Sequence, residues 1–197
     1  RYLPEYRELR AEKGGFLAMA FDPDAACEIT MQPIRRFGMD AAIIFSDILT
    51  IPYALGQHLE FVQGEGPKLD AINDSDGIKK LSYAKFKDTL EPVYQALRNT
   101  RSALSKEGFD QTALIGFAGA PWTVATYMIE GGSIRDLQKT KTFAYQRPDD
   151  FAALIETLVE ATSAYLIEQV NAGAEVLQIF DSWAGALDAD HFKRYSI

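Results

Sequence analysis

The sequence predicts an α/β fold of parallel strands, and three apolar segments carry that prediction. Residues 40–45, 113–117 and 174–180 are short apolar runs, and each follows an amphipathic helical pattern that ends near a glycine. Helices that alternate with buried strands are typical of parallel sheets with crossover connections. No G-x-G-x-x-G or phosphate-loop sequence follows any of the three runs, which disfavours a nucleotide-binding open sheet. The pattern alone does not choose between a barrel and an open doubly wound sheet, and the absence of these motifs favours a barrel.

The first helical pattern has clear end signals. Asp22 and Pro23 form a cap and first-turn pair, and the pattern stops at Gly38. Because Pro33 removes a backbone donor, we expect this helix to be either kinked or divided in two. The apolar run at 40–45 is expected to form a strand buried on both faces.

Two further helical patterns precede the other strands. One begins near Pro92 and ends at Gly108, and the other extends from about Asp149 to residues 171–173. The apolar runs that follow them are also expected to be buried strands, which completes the repeated order of helix, glycine and strand.

The composition excludes several classes of function. The formal net charge of −8 argues against a nucleic-acid partner, because phosphate binding needs clustered lysine and arginine. No apolar run approaches the roughly 20 residues of a membrane helix. The single cysteine, Cys27, cannot form an internal disulfide, which favours a reducing cytoplasm. His58 and His191 share no metal-ligand spacing with Cys27, so no metal site is predicted.

Chemistry is expected in the loops that follow the strands, because such loops carry the active sites of parallel α/β folds. The three loops open at residues 46–47, 118–119 and 181–182. Asp47 is either a cap or turn residue or a carboxylate that stabilises a substrate cation at the mouth of an apolar barrel. Asp181 has the same two interpretations.

Two other side chains in these regions also have open roles. Tyr127 is either a core residue whose hydroxyl finds a backbone partner or a ligand contact. Ser182 has no nucleophile-elbow pattern around it, so a hydrogen bond to substrate or a loop cap is expected rather than hydrolase chemistry.

Arginines are the natural partners of an acidic ligand, because guanidinium binds carboxylate with two hydrogen bonds. The chain offers them near its start and in a pair, and charged helix faces are more commonly only solvated. The candidates are Arg1, Arg7, Arg10, Arg35 and Arg36.

Six segments, taken in chain order, resemble the uroporphyrinogen decarboxylase family. They are R-Y-L-P-E at 1–5, Q-P-I-R-R-F-G at 32–38, D-A-A-I-I-F-S-D-I-L at 40–49, G-E-G-P at 64–67, G-F-A-G-A-P-W-T at 116–123 and I-F-D-S-W-A-G at 179–185. The resemblance extends along nearly the whole chain, so it is far more specific than any single motif.

The resemblance implies a TIM-type barrel, a homodimer and a polar cleft for a cyclic tetrapyrrole. The implied reaction removes carbon dioxide from four acetate side chains of uroporphyrinogen III and yields coproporphyrinogen III, in porphyrin and heme biosynthesis. No metal or organic cofactor is implied.

The resemblance also implies roles for four residues. Asp47 matches the aspartate of the family's F-S-D-I motif, whose carboxylate faces the pyrrole N–H groups and stabilises a protonated pyrrole. Tyr127 matches the tyrosine after the A-P-W-T segment, and both residues are expected to be catalytic and to bind substrate. Ser182 matches the serine or threonine of the F-D-S motif, and Arg1 matches the second arginine of R-Q-A-G-R-Y-L-P-E. These two are expected to bind substrate.

The chain is expected to hold only part of the family's barrel. Arg1 falls inside the R-Q-A-G-R-Y-L-P-E stretch, and Ile197 comes before the remaining strands and the family's C-terminal histidine. Eight strands cannot close from this segment. Residues 1–197 are therefore expected to form a single barrel domain that is truncated at both ends.

Two other functions compete with the decarboxylase. One is a cobamide-dependent methyltransferase of a related barrel family, which would need a zinc site of histidine and cysteine ligands. The other is a non-catalytic tetrapyrrole-binding protein that kept the cleft without the chemistry.

Overall fold

The computed structural model describes residues 2–62, 64–132 and 136–197. The described residues form ten α-helices, one 3₁₀ helix and five β-strands. The helices are α1 (Pro4–Lys13), α2 (Phe16–Ala20), α3 (Pro23–Phe37), α4 (Thr50–Ala54), α5 (Ser75–Lys79), α6 (Phe86–Lys106), α7 (Pro121–Glu130), α8 (Gln138–Gln146), α9 (Pro148–Asn171) and α10 (Ala189–Tyr195), with the 3₁₀ helix at Ala184–Ala186. No helix in these described ranges is both long and apolar enough to span a bilayer.

The strands form two small sheets. They are β1 (Ala41–Ile43), β2 (Leu59–Val62), β3 (Gly66–Leu69), β4 (Ala113–Gly119) and β5 (Val176–Phe180). One sheet has the order β1-β4-β5 and the other is the antiparallel hairpin β2-β3. β1 and β4 are parallel, with Ala41 opposite Ala113 and Ile43 opposite Ile115. The mixed α/β architecture and its parallel sheet confirm the predicted fold class.

The chain forms two compact units. The first contains the chain up to Asp47, together with Asp88–Phe117 and Tyr165–Gln178. The second contains Ile48–Lys87, Ala118–Ala164 and the chain from Ile179 onward. The contacts described below lie within one unit or the other.

Helix α3 follows its sequence signals closely. The Asp22 carboxylate caps it by accepting hydrogen bonds from the backbone N–H groups of Asp24 and Ala25, at 3.1 and 3.0 Å. Gly38 ends the helix with φ of 58°, the left-handed conformation that glycine tolerates best. The helix continues through Pro33 as one element, which excludes a division there, the second of the two predicted alternatives.

Helix α6 begins earlier than predicted, at Phe86 rather than near Pro92. Pro92 lies inside it and removes one backbone hydrogen bond. Phe86 and Leu90 are nevertheless buried, at 6% and 0% exposure, and they continue the apolar face of the helix toward its start. Burial of two large side chains offsets the lost hydrogen bond, so the proline does not mark the helix boundary.

The prediction of buried outer strands was wrong in this structure. All five residues of β5 are exposed, and Ile43 of β1 is 46% exposed. β1 and β5 are the edges of the three-stranded sheet, whereas the central strand β4 is largely buried. An apolar run therefore identified each strand but not its exposure.

The hairpin β2-β3 was not predicted. Gly64 and Gly66 adopt φ of 83° and 87°, which suits the tight turn. β3 begins with Gly66 and Pro67, and neither residue is typical of a strand, because proline has no backbone donor and glycine has no side chain to pack. The Leu69 N–H donates to the Gly131 carbonyl at 3.1 Å, which fixes the hairpin against the end of α7.

A buried glutamine binds the backbone of the central strand. The paired register of β1 and β4 ends at Ile115, and the side chain of Gln169 on α9 binds Phe117, two residues further along β4. Its Oε1 accepts the Phe117 N–H at 2.9 Å, and its Nε2 donates to the Phe117 carbonyl at 2.8 Å. A Cβ at Gly116 would come 2.4 Å from the Gln169 Oε1, so the glycine makes room for this side chain.

We expect Gln169→Leu to lower the free energy of unfolding by about 2–4 kcal/mol, because two buried backbone groups lose these hydrogen bonds. Urea unfolding of the full-length protein measures the change. Gln146→Leu, on the exposed end of α8, is the matched control and should change stability by less than about 0.5 kcal/mol. Equal effects of the two substitutions would contradict the role of Gln169.

The Asp22 cap predicts a pH dependence of stability. Asp22 also accepts a hydrogen bond from Lys13 Nζ at 2.7 Å, which is the main cause that lowers the Asp22 pKa below its usual 3.8. A lowered pKa means that this stabilisation is complete above pH 3.8 and disappears as the pH falls through the lower value. Asp22→Asn keeps the cap but loses the charge, whereas Asp22→Ala also loses about 1 kcal/mol of capping.

Unfolding curves measured at several pH values test this expectation. The stability difference between wild type and Asp22→Asn should be largest near neutral pH and should shrink below pH 3.8. A difference that stays constant down to strongly acidic pH would show that the charge of Asp22 does not contribute.

Candidate active site

Asp47 lies in the loop that follows β1 and is half-buried. The chain leaves the sheet just before it. The Ile44 N–H still donates to the Ile115 carbonyl at 3.0 Å, but the Phe45 N–H donates to Thr30 Oγ1 at 2.9 Å. Thr30 is buried on α3, so a side chain on this helix fixes the backbone two residues before Asp47.

The ring of Phe45 anchors the same loop. It packs against Tyr6 at 6.1 Å and against Phe16 at 5.3 Å between ring centroids. Tyr6 belongs to a buried cluster with Met19 and Ile29. A hydrogen bond and an aromatic cluster therefore hold the segment that leads into Asp47.

The residues after Asp47 are held within the second unit. Leu49 is 1% exposed, and α4 begins at the next residue. Ile48 packs against Gly119 at the end of β4, where an added Cβ would lie 2.9 Å from the Ile48 Cβ and 2.7 Å from Val124 Cγ2. Only a residue without a side chain fits at Gly119 in this arrangement.

Tyr127 and Ser182 are both neighbours of Trp183 in the second unit. Tyr127 is half-buried on α7, and its ring meets the ring of Trp183 edge-on at 6.5 Å. Ser182 is exposed in the turn after β5 and directly precedes Trp183. The two predicted site residues thus share one neighbour.

Asp181 has a structural role that the sequence left open. Its Oδ1 accepts the Thr123 hydroxyl at 2.6 Å, and its Oδ2 accepts the Ser196 hydroxyl. Both carboxylate oxygens are therefore engaged by hydroxyl groups of the same unit. Of the two interpretations of Asp181, the structure supports the loop-fixing one.

The paired arginines form surface ion pairs. Arg35 donates to Glu28 and Glu107, each at 2.7 Å, and Arg36 donates to Glu5 at 2.6 Å. Hydrogen bonding to Arg35 lowers the pKa of Glu107, and hydrogen bonding to Arg36 lowers the pKa of Glu5. These two guanidinium groups are thus neutralised locally rather than presented to a ligand.

The three other candidate arginines lie near the start of the chain. Arg7 and Arg10 are exposed on α1, as expected for a solvated helix face. Arg1 lies outside the described residues, so its predicted substrate contact stays a prediction.

A cavity of about 530 Å³ lies beside β1 in the first unit. Its lining is mainly apolar and includes residues 41–46 and parts of α1 and α3. Two buried polar atoms in its lining, Ser46 Oγ and Gln32 Oε1, have no hydrogen-bond partner among the described residues. Because the lining is mainly apolar, the cavity suits apolar side chains or an apolar ligand rather than a polyanion.

The described residues contain no group of three or more histidine, cysteine, aspartate and glutamate side chains able to hold a metal ion. Cys27 is half-buried on α3, and burial is the main cause that raises the pKa of its thiol. The His191 ring lies 2.7 Å from the Asp188 carboxylate at the start of α10.

Comparison with known proteins identifies the family. The sequence model of the family described as uroporphyrinogen decarboxylase (URO-D) matches residues 1–197. The chain belongs to the uroporphyrinogen decarboxylase family. It is 53% identical to the uroporphyrinogen decarboxylase of Rhodospirillum rubrum, 52% to that of Brucella anthropi and 51% to that of Erythrobacter litoralis. Each match covers 100% of this chain and 56% of the relative, so the chain spans about half the length of these proteins.

A solved structure supports the fold. A methyltransferase from Methanosarcina mazei matches with a TM-score of 0.74, covering 95% of this chain and 54% of that chain. The sequence identity is 17%, so the likeness concerns the fold alone. The decarboxylase relatives are three times as similar in sequence, and the methyltransferase alternative is not favoured.

The sequence did not predict a structural role for Thr123 or its pairing with Asp181. Thr123 ends the G-F-A-G-A-P-W-T segment, and Asp181 belongs to I-F-D-S-W-A-G. Their mutual hydrogen bond joins two motifs that are far apart in the chain. A threonine early in a helix, followed much later by an aspartate after a strand, gives no local signal of such a pair.

Gly119 gives a stability test of the packing beside Asp47. We expect Gly119→Ala to lower the free energy of unfolding by about 1–3 kcal/mol, because the new methyl group overlaps Ile48 and Val124. Differential scanning calorimetry of the full-length protein measures the change. Gly185→Ala is the control: apart from the adjoining backbone, no atom of the described residues would lie within 4 Å of its Cβ, so little change is expected. An unchanged free energy of unfolding in Gly119→Ala would show that Ile48 and Val124 move aside at little cost.

Proposed function

We propose that the full-length protein is a uroporphyrinogen decarboxylase. It would remove carbon dioxide from the four acetate side chains of uroporphyrinogen III and release coproporphyrinogen III, in porphyrin and heme biosynthesis. The observation that carries the proposal is identity of 51–53% over all 197 residues to proteins of that name. The family match over the same residues supports it.

The chemistry assigns Asp47 the central role in this proposal. Loss of carbon dioxide from an acetate leaves electron density that needs a sink, and a pyrrole protonated at a ring carbon provides one. A half-buried carboxylate stabilises that cation more strongly than a solvated one, because its field is less screened. Hydrogen bonds from the pyrrole N–H groups to Asp47 would also orient the macrocycle.

The other proposed contacts recognise the periphery of the substrate. Tyr127 and Ser182 would supply hydroxyl groups to the macrocycle, with Tyr127 also serving in catalysis. Arg1 would bind a peripheral carboxylate with two hydrogen bonds. With a net charge of −8, the chain as a whole repels a polyanion, so such local cations matter for binding.

The same proposal includes further properties supported by the family resemblance. The protonated pyrrole serves as its own electron sink, so no cofactor is required. The enzyme would be a cytoplasmic homodimer, with the small-molecule tetrapyrrole as its ligand. Residues 1–197 would form part of one barrel domain, which stays a prediction.

Asp47→Ala tests the proposal. We expect the turnover of uroporphyrinogen III by the full-length protein to fall at least about a hundredfold, because the group that stabilises the developing cation is lost. Anaerobic assays that quantify each product by its number of carboxyl groups measure the effect. Asp40→Ala is the control, since Asp40 is exposed before β1 and contributes a backbone carbonyl to Ala113.

The outcomes separate the remaining alternatives. A wild-type protein that binds the tetrapyrrole without turnover would favour the non-catalytic binding protein. An active wild type with undiminished turnover in Asp47→Ala would keep the enzyme but refute the role of Asp47.

A further inference from the structure

The buried threonine at the start of α7 makes two hydrogen bonds to the loop that carries Ser182. Thr123 is 0% exposed. Its hydroxyl donates to Asp181 Oδ1 at 2.6 Å and accepts the Trp183 N–H at 3.0 Å. The residues on both sides of Ser182 are therefore attached to one oxygen atom.

Two further hydrogen bonds join the same loop to the α7 N-terminus. Trp122 Nε1 donates to the Trp183 carbonyl at 3.0 Å, and the Ala120 N–H donates to the Phe180 carbonyl at 2.8 Å. The loop is thus held from residue 180 to residue 183, while the Ser182 side chain itself stays exposed.

The arrangement also links Ser182 to Tyr127. Tyr127 lies one turn after Thr123 on α7, since residues four apart share a helix face. Its ring packs edge-on against Trp183, the residue whose backbone N–H Thr123 binds. Thr123 therefore sets the position of the loop relative to the helix that carries Tyr127.

We propose that Thr123 is a positioning residue that fixes Ser182 and Tyr127 relative to one another through Asp181 and Trp183. This inference rests on the proposed decarboxylase function. Thr123 acts through these neighbours and needs no contact with substrate. Because small displacements of binding groups lower rates strongly, loss of its hydroxyl should affect turnover more than stability alone would indicate.

Three substitutions in the full-length protein test the proposal. Thr123→Val keeps the side-chain shape but removes both the donor and the acceptor. Thr123→Ser restores both functions. Thr126→Val is the matched control: Thr126 is equally buried on α7, but its hydroxyl donates only to the Trp122 carbonyl within the helix.

The expected result is a loss specific to Thr123→Val. Its kcat/KM for uroporphyrinogen III should fall about ten- to hundredfold, with release of partly decarboxylated intermediates as the macrocycle is held less firmly. Thr123→Ser should recover to within about threefold of wild type, because the hydroxyl returns. Thr126→Val should lower the melting temperature by about as much as Thr123→Val does, while its activity stays within about threefold of wild type.

Asp181→Ala removes the acceptor of the Thr123 hydrogen bond. This variant replaces Thr123→Val as the test if Thr123→Val does not fold. It should reduce kcat/KM similarly, and the double variant should show little further loss, because both substitutions remove one interaction. Losses that multiply in the double variant would overturn the proposal.

Two failures can be told apart. If Thr123→Val matches Thr126→Val in an active enzyme, Thr123 has no positioning role and the proposed function stands. If wild type shows no decarboxylation, the proposed function fails and this inference fails with it.

Discussion

The Gln169 amide binds both backbone groups of Phe117 at the point where the pairing of β1 with β4 has ended. The Thr30 hydroxyl accepts a hydrogen bond from the Phe45 N–H, and the Thr123 hydroxyl accepts one from the Trp183 N–H. A backbone that leaves a sheet exposes polar groups that must be paired when buried. Buried side chains on helices meet that need here, and the loops that carry the candidate residues take their positions from them.

Close packing makes these hydrogen bonds possible. Gly116 leaves the space that the Gln169 amide occupies, and Gly119 lets Ile48 approach the end of β4. Both glycines belong to the family motif on β4, and neither has a positive φ. Their requirement is therefore for space rather than for an unusual backbone conformation, which explains why two glycines occur in a strand.

Much of the fold could be predicted from local signals. The ends of α3, the position of β4 and the length of α9 follow from caps, glycines and apolar spacing. The hairpin β2-β3 could not be predicted in this way, because its second strand begins with Gly66 and Pro67 and is fixed by contacts far along the chain. The exposure of β5 depends on which strands lie beside it, and a run of apolar residues does not contain that information.

Only part of the candidate site could be predicted from the sequence. Asp47, Tyr127 and Ser182 take their candidate roles from motif resemblance, since a carboxylate or hydroxyl after a strand also has common structural uses. The role of Thr123 and its pairing with Asp181 were not predicted, because the two residues lie 58 positions apart in the chain. Local sequence thus indicates where a loop begins, whereas tertiary contacts decide what holds it.

The two indoles of this chain have an optical consequence. Trp122 and Trp183 are its only tryptophans, and a hydrogen bond from one ring to the backbone of the other joins them. Tryptophan emission from this chain therefore originates entirely beside the turn after β5. An intrinsic fluorophore is already in place where the proposed substrate would alter the local environment, so no external label is needed there.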